Sequence, residues 1–365
     1  MRSTGFRPQH QSPTVSLTAI QQLFPFLARV ALSETSVFTL LLSAALAQNL
    51  QNTPIEALTL RFDTRYDNID GGRSRHRLQN SALVAAQVDL ALGIDLAVMA
   101  VTGDRFQSRW STWRDLNGDE PERMSLSLRQ LYLERTFGDF RVQIGSLSPV
   151  KGRVSTSGLE DLGWIDGGRV VYGKPEAVQI EAVLGSLTDP DEPDVFIRRR
   201  QLDYAEIEVS VALPHNVEAE VAGHLLQDGR YVKAEVGWVF TSADDRSFSV
   251  RAEGGIELRQ GAFLGIIGAR SDMGVLLTGN TDYADRLDLR LTLRHVDADY
   301  GLFGALSEDF YQFGTEFRVR ANGDIDSNGI VSWNVRAIAP LSVDLLPRFD
   351  AGLSIRLKLS RERED

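Results

Sequence analysis

From Ala57 onward, apolar and polar positions alternate with a period of two. Leu58, Leu60 and Phe62 are interleaved with Thr59, Arg61 and Asp63, and Phe140, Val142 and Ile144 with Arg141 and Gln143. The same alternation runs through Ile207, Val209 and Val211, through Leu287 to Leu293, through Phe313 to Val319, and through Leu353 to Leu359. A period of two rather than 3.6 predicts strands with one apolar and one polar face. Strands of globular sheets centre on about five or six residues, and a tilted strand that crosses a bilayer needs about 9 to 11. The runs here are of the second kind, so the pattern has two solutions. A soluble fold buries the apolar faces in a core, whereas a membrane barrel turns them to lipid and encloses the polar ones.

The links between runs favour the barrel. Strands read at 57–66, 80–92, 94–103, 126–137, 140–147, 166–173, 177–187, 201–213 and 217–226 are joined alternately by long and short connections. The long ones are 67–79, 104–125, 148–165 and 188–200; the short ones centre on Gly93, Gly138-Asp139, 174–176 and 214–216. Tight turns at one end and long loops at the other are the asymmetry of outer-membrane barrels. Further strands are expected near 230–240, 247–259, 262–270, 273–279, 286–297, 300–306, 310–321, 330–338 and 349–359. The reading is therefore an all-β, single closed antiparallel transmembrane barrel of 16 to 18 strands. Merging 262–270 with 273–279, or losing one hairpin, gives sixteen.

Composition narrows the function classes. Fifty acidic residues against 39 basic ones give a net charge of −11, which argues against a nucleic-acid partner. There are no cysteines, hence no disulfide and no thiolate metal site. The basic residues are 35 arginines and four lysines; base composition of the gene explains such a bias, as does a surface of planar guanidiniums that meets carboxylate, phosphate or sugar.

The segment "ARVALSETSVFTLLLSAALAQN" has Arg29 ahead of an apolar stretch from Val37 to Leu46, then Ala45 and Ala47 spaced as an A-x-A site. This is the layout of a secretory signal. The expected organisation is a signal with an N-terminal extension over 1–47, a short lead over 48–56, the barrel over 57–359, and a charged tail over 360–365.

"YLERTFGDFRVQIGS" resembles the hairpin of Gram-negative outer-membrane porins in which an acidic-aromatic strand, a turn and an arginine-alternating strand follow one another. "DGGRVVYG", residues 166–173, is similar to the strand by which porins re-enter the barrel after the third outward loop. The resemblance implies passive diffusion of small polar or charged solutes through a water-filled pore. It implies outer-membrane lipid and lipopolysaccharide as surroundings, and a homotrimer as one form of assembly. It also implies that the third loop, 148–165, folds inward to narrow the channel, with Glu160 and Asp161 as constriction residues.

Parity then assigns the inward faces. Strands near the two ends of the chain contribute Arg61, Arg65, Arg318, Arg320, Arg336, Arg356 and Lys358, and Arg141 points inward on its own strand. Middle strands contribute Glu206, Glu208, Glu218, Glu220 and Glu253. In a closed barrel these sets form a basic and an acidic wall facing each other, with a transverse field between them. Scattered charge on solvated strand faces is the plain alternative. The second outward loop carries Trp110 and Trp113, expected at the interfacial aromatic girdle.

Other chemistry is sparse. Asp324, Asp326 and Asn328 open like a calcium loop, but Val335 stands where the bidentate glutamate belongs, and a tight turn explains the same residues. No nucleophile elbow, metalloprotease helix or phosphate loop is present, and no cofactor is expected. Two other classes remain open: a secreted or periplasmic soluble β protein that binds glycans or a partner chain, and an outer-membrane barrel enzyme.

Overall fold

The computed structural model describes residues 54–360, apart from 71–72, 91, 104–107, 117–124, 150–161, 175, 188–191, 193–194, 197, 199–200, 242–246, 275–285, 302–310, 312, 326–328 and 343–345. Among the described residues, seventeen antiparallel strands form one sheet that closes on itself. They are β1 (Ile55–Asp70), β2 (Arg73–Asp89), β3 (Ile94–Thr102), β4 (Ser111–Asp115), β5 (Leu126–Phe137), β6 (Phe140–Leu147), β7 (Ile165–Gly173), β8 (Val178–Ser186) and β9 (Tyr204–Leu213). They continue as β10 (Val217–Leu226), β11 (Gly229–Thr241), β12 (Ser247–Glu257), β13 (Phe263–Gly274), β14 (Arg286–Val296), β15 (Gly314–Asp324), β16 (Val331–Pro340) and β17 (Arg348–Ser360). Sixteen make the wall, closed where Ala57–Asp67 of β1 pair with Asp350–Ser360 of β17. The extra strand, β4, pairs with β2 beyond the end of β3.

Among the described residues the wall has sixteen strands, within the expected 16 to 18; most of the expected strands 273–279 and 300–306 lies outside the described residues. Residues 263–274 run as one strand, which absorbs the start of the separately expected 273–279, and 298–300 form a turn of 3-10 helix where a strand was expected to begin. The first long link is also shorter than expected. The β1–β2 hairpin continues through Asp67↔Arg77 to Asp70↔Arg73, because cross-strand ion pairs such as Asp67 with Arg77 sustain the ribbon beyond its apolar part.

The inversion between lipid and lumen is visible in exposure. Ile144 is 63% exposed and Ile207 59%, together with Phe140, Val170, Leu184, Val221 and Ile267. Their neighbours Gln143, Arg169, Glu206, Glu208 and Glu220 are buried. The apolar side of each ribbon thus lies outside and the polar side within, as a closed barrel in a bilayer requires.

The end where β1 begins and β17 stops is called proximal, the other distal. The four short turns read from the sequence are all proximal. Leu92 and Gly93 adopt positive φ (59° and 68°), as do His215 and Asn216 (65° and 57°). Positive φ is what a tight hairpin twisted with its strands demands. Aromatic side chains collect at this rim: Phe137, Phe140 and Tyr172 touch in sequence, and Trp238, Phe240 and Phe248 likewise. An apolar cluster occupies the distal end of the β6–β14 side. It is built from Leu147, Trp164, Ile165, Leu187, Tyr204, Leu226, Leu264, Val296 and Tyr300 among others.

Candidate functional site

The lumen is built by parity. Side chains two apart on one strand share a face, so the register of neighbouring strands fixes which charges meet. Arg61 and Arg65 on β1, Arg356 and Lys358 on β17, Arg336 on β16, and Arg318 and Arg320 on β15 lie on four consecutive wall strands. Arg61 is the direct partner of Arg356, and Arg320 of Arg336. Arg141 is apart from them, on β6, with β2, β3 and β5 between its strand and β1.

The lateral row continues into residues that parity alone did not assemble. Arg336 pairs with Arg320, Arg320 with Arg290, and Arg290 with Arg270, one arginine on each of β16, β15, β14 and β13. Adjacent strands are about 4.8 Å apart, and strands in a barrel tilt by roughly 35–45°. A row perpendicular to the strands therefore climbs the axis as a ramp rather than ringing it. The ramp falls from the distal half of β16 to the proximal half of β13. Arg270 was missed because its strand was the least regular of the alternating runs.

Carboxylates hold these guanidiniums in place. Asp288 accepts from Arg270 at 2.9 Å and Arg290 at 2.7 Å, Asp350 from Arg336 at 2.7 Å, and Asp63 from Arg61 at 2.8 Å. Asp67 gathers Arg65 at 3.6 Å, Arg77 at 3.4 Å and Arg348 at 3.1 Å. Part of the cationic surface stays open: the side chains of Arg270 and Arg290 are 41% and 35% exposed.

The acidic set lies on β9 (Glu206, Glu208), β10 (Glu218, Glu220) and β12 (Glu253), on the far side of the closed sheet from β15–β1. Glu235 and Glu181 join it, since Glu220 pairs with Glu235, Glu235 with Glu253, and Glu181 with Glu208. Like charges placed directly opposite repel, and this wall is packed with groups that offset the repulsion. Lys233 Nζ lies 3.2 Å from Glu235 and 3.3 Å from Glu253, Arg169 lies 2.7 Å from Glu181, and the Tyr204 hydroxyl donates to Glu206. Glu206, Glu208, Glu220, Glu235 and Glu253 are all buried. On the basic side Arg65, Arg318 and Arg336 are buried as well, and the more open cations are Arg270 and Arg290 of the ramp.

Other expectations fare variously. Glu160, Asp161, Asp326, Asn328 and the signal segment lie outside the described residues. Asp324 ends β15 at the proximal rim, and no cluster of metal-ligating side chains occurs among the described residues. Trp110 does not join the girdle. Its ring lies under the guanidiniums of Arg65, at 4.0 Å, and Arg109, at 5.1 Å, because Arg65 faces inward and offers a cation to the ring face. Trp113, on β4, is exposed. The histidines are dispersed: His76 meets Tyr66, His224 meets Glu206, and His295 stands between Thr315 and Asp297 at the distal rim. Beyond the end of β14, the backbone N–H of Phe263 and the His295 ring hold the Asp297 carboxyl below its ordinary range.

No protein-family model and no curated protein sequence matches the chain. Solved structures do. OprB of Pseudomonas putida, in its low-pH form, is 11% identical, with 89% of this chain and 98% of that one covered and a TM-score of 0.56. OccAB3 of Acinetobacter baumannii is also 11% identical, over 84% and 99%, with a TM-score of 0.55. A variant of the Rh. blastica porin is 9% identical, over 82% and 99%, at 0.52. Closed barrel, inverted faces and charged lumen together give this chain the fold of the Gram-negative outer-membrane porins.

Proposed function

We propose that the protein is an outer-membrane porin through which small polar and charged solutes diffuse passively, with a preference for anions. The observation that carries this reading is the solvent-exposed part of the arginine ramp, Arg290 and Arg270, set against a wall of carboxylates that is buried. In a lumen with low-dielectric walls, cationic groups in excess of their counter-charge, here two guanidiniums on the one Asp288 carboxylate, concentrate anions and exclude cations. Guanidiniums also bind carboxylate or phosphate with paired hydrogen bonds. A zwitterion in such a lumen would turn its carboxylate to β13–β16 and its amine away from them.

The start of β1 and the end of β17 mark the periplasmic side in this reading, and outer-membrane lipid surrounds the apolar belt. Large barrels keep an aqueous channel where eight-stranded ones fill with side chains. The exposed isoleucines and phenylalanines around the wall speak against the soluble β alternative, which would bury them.

Planar-bilayer recording of the detergent-folded protein tests the proposal. Steady ohmic steps with a reversal potential favouring anions are expected. The triple variant Arg270→Glu, Arg290→Glu, Arg320→Glu should shift that potential towards cations. Absence of channels in the native protein would overturn the porin reading, and an unchanged reversal potential in the variant would overturn the role given to the ramp.

A further inference from the structure

Arg251 on β12 faces Gly268 on β13, and Gly268 faces Thr292 on β14. One side-chain step proximally on the same inward face, Arg270 of β13 faces Arg290 of β14. The glycine gives the Arg251 side chain its path. A Cβ at Gly268 would stand 3.2 Å from Cγ and 3.6 Å from Cδ of Arg251, so the arginine stem lies across the place that a side chain on β13 would fill. Its guanidinium is thereby brought along the wall to the other two. Arg290 and Arg270 act on it more strongly than do the carboxylates of Glu253 and Glu235 on its own side.

Three guanidiniums from three consecutive strands thus gather about one carboxylate. Asp288 receives Arg270 at 2.9 Å and Arg290 at 2.7 Å. Glu235 and Glu253 are already shared with Lys233, whose Nζ lies 3.2 and 3.3 Å from them. Like charges held together without matching counter-charge repel, and a bound anion relieves that repulsion. The group is open to the lumen, since Arg270 and Arg290 are partly exposed and Arg251 is only half-buried. Its donors are planar forks, which engage an anion with several oxygens through paired hydrogen bonds. A tetrahedral oxyanion offers oxygens to forks arriving from different strands; a flat monocarboxylate has only two.

We infer that Arg251, Arg270 and Arg290 form a discrete binding site for a phosphate-class oxyanion in the proximal half of the lumen, with Gly268 as the residue that admits the Arg251 stem. This rests on the porin reading and sharpens it, from a diffuse preference for anions to a station for a multiply charged, tetrahedral one. Gly268 acts as a positioning residue: it contributes no charge, and any side chain there displaces Arg251 from its neighbours.

Calorimetric titration of the full-length, detergent-folded protein tests the site without any need for conduction. The probes are inorganic phosphate at pH 8, where its second proton is largely lost, sulfate as a second tetrahedral dianion, and acetate as a monocarboxylate. Phosphate and sulfate should bind at one site per chain, and acetate at least tenfold more weakly. Arg251→Gln should weaken phosphate binding about tenfold or more, as the loss of a charge-assisted hydrogen bond implies. Gly268→Val should do the same while removing no charge. Arg230→Gln, which takes an exposed arginine from beside Leu225 on the outer face, should leave the affinity native-like. Native-like phosphate affinity in Arg251→Gln, or acetate binding as tightly as phosphate, would overturn the site; native-like affinity in Gly268→Val would overturn the role of the glycine. If one of these two variants does not fold, the other decides for the site. In planar bilayers phosphate should reduce chloride conductance saturably, with the affinity measured by titration. A protein that binds phosphate but opens no channels keeps the site and loses the porin reading, whereas one that conducts and binds phosphate equally in all variants loses the site alone.

Discussion

Gly145, Gly167 and Gly185 are lateral partners on β6, β7 and β8, flanked in the same row by Tyr132 and Tyr204. A Cβ on Gly167 would collide with the carbonyl oxygen of Leu184 on the next strand, whereas one on Gly168 would meet only the Gln143 carbonyl at an ordinary 3.7 Å. Close backbone approach of this kind is where a sheet can bend sharply, and distal to the row both Ser146 and Leu147 are buried. Gly167→Ala should therefore destabilise the barrel by about 1–3 kcal/mol through overpacking, while Gly168→Ala should be tolerated. The temperature at which the SDS-resistant form is lost would separate the two, and equal behaviour would contradict the steric account. Ion pairing supplies a second case at this scale. Asp67 is fully buried among three arginines, and removing one partner from a buried charge cluster costs roughly 3–5 kcal/mol. Asp67→Asn should lower that same temperature and, by leaving more cationic charge unmatched, move the reversal potential further towards anions.

Among the elements, β6 shows how an eight-residue stretch of sequence carries an environment. Its outward series, Phe140, Val142 and Ile144, runs from the aromatic rim at the proximal turn to the middle of the apolar belt. A charge on the lipid face of a barrel costs about 2–4 kcal/mol at the bilayer midplane and about 0–1 near the interface. Ile144→Arg should accordingly weaken folding into liposomes more than Phe140→Arg, as measured by urea titration; the reverse order would mean that the belt is misplaced along the strand. The alternation that sets these faces is legible residue by residue. The bulge at Arg129 of β5 and the short strand β4 are not, because each depends on what lies on the adjacent strand. Trp110 belongs to the same class: its place under Arg65 follows from a neighbour more than forty positions earlier in the chain.

For the whole molecule, the closed sheet brings β15–β17 beside β1 and sets them across from β9–β12, so that charges distant in sequence come to share one field. Between exposed groups this field is screened, with a Debye length of about 30 Å at 0.01 M salt and about 3 Å at 1 M. Anion preference should be strong at low ionic strength and should decline steeply towards 1 M, as read from reversal potentials across matched salt gradients. A preference independent of salt would place selectivity in a dry, narrow contact and away from the exposed arginines of the ramp.

The period of two, the length of the runs and the tight proximal turns were sufficient to specify an all-β barrel with apolar faces outside and polar faces within, because strand pleating and backbone hydrogen bonding leave a bilayer-spanning sheet no other arrangement. Parity also marked Arg61, Arg320, Arg336 and Glu220 as inward, since that property is local. Which inward charges are open to water was settled only by the closed structure. Exposure depends on register and on counter-charges such as Lys233 beside Glu253 and Asp67 beside Arg348, and these are contacts between segments apart in the chain.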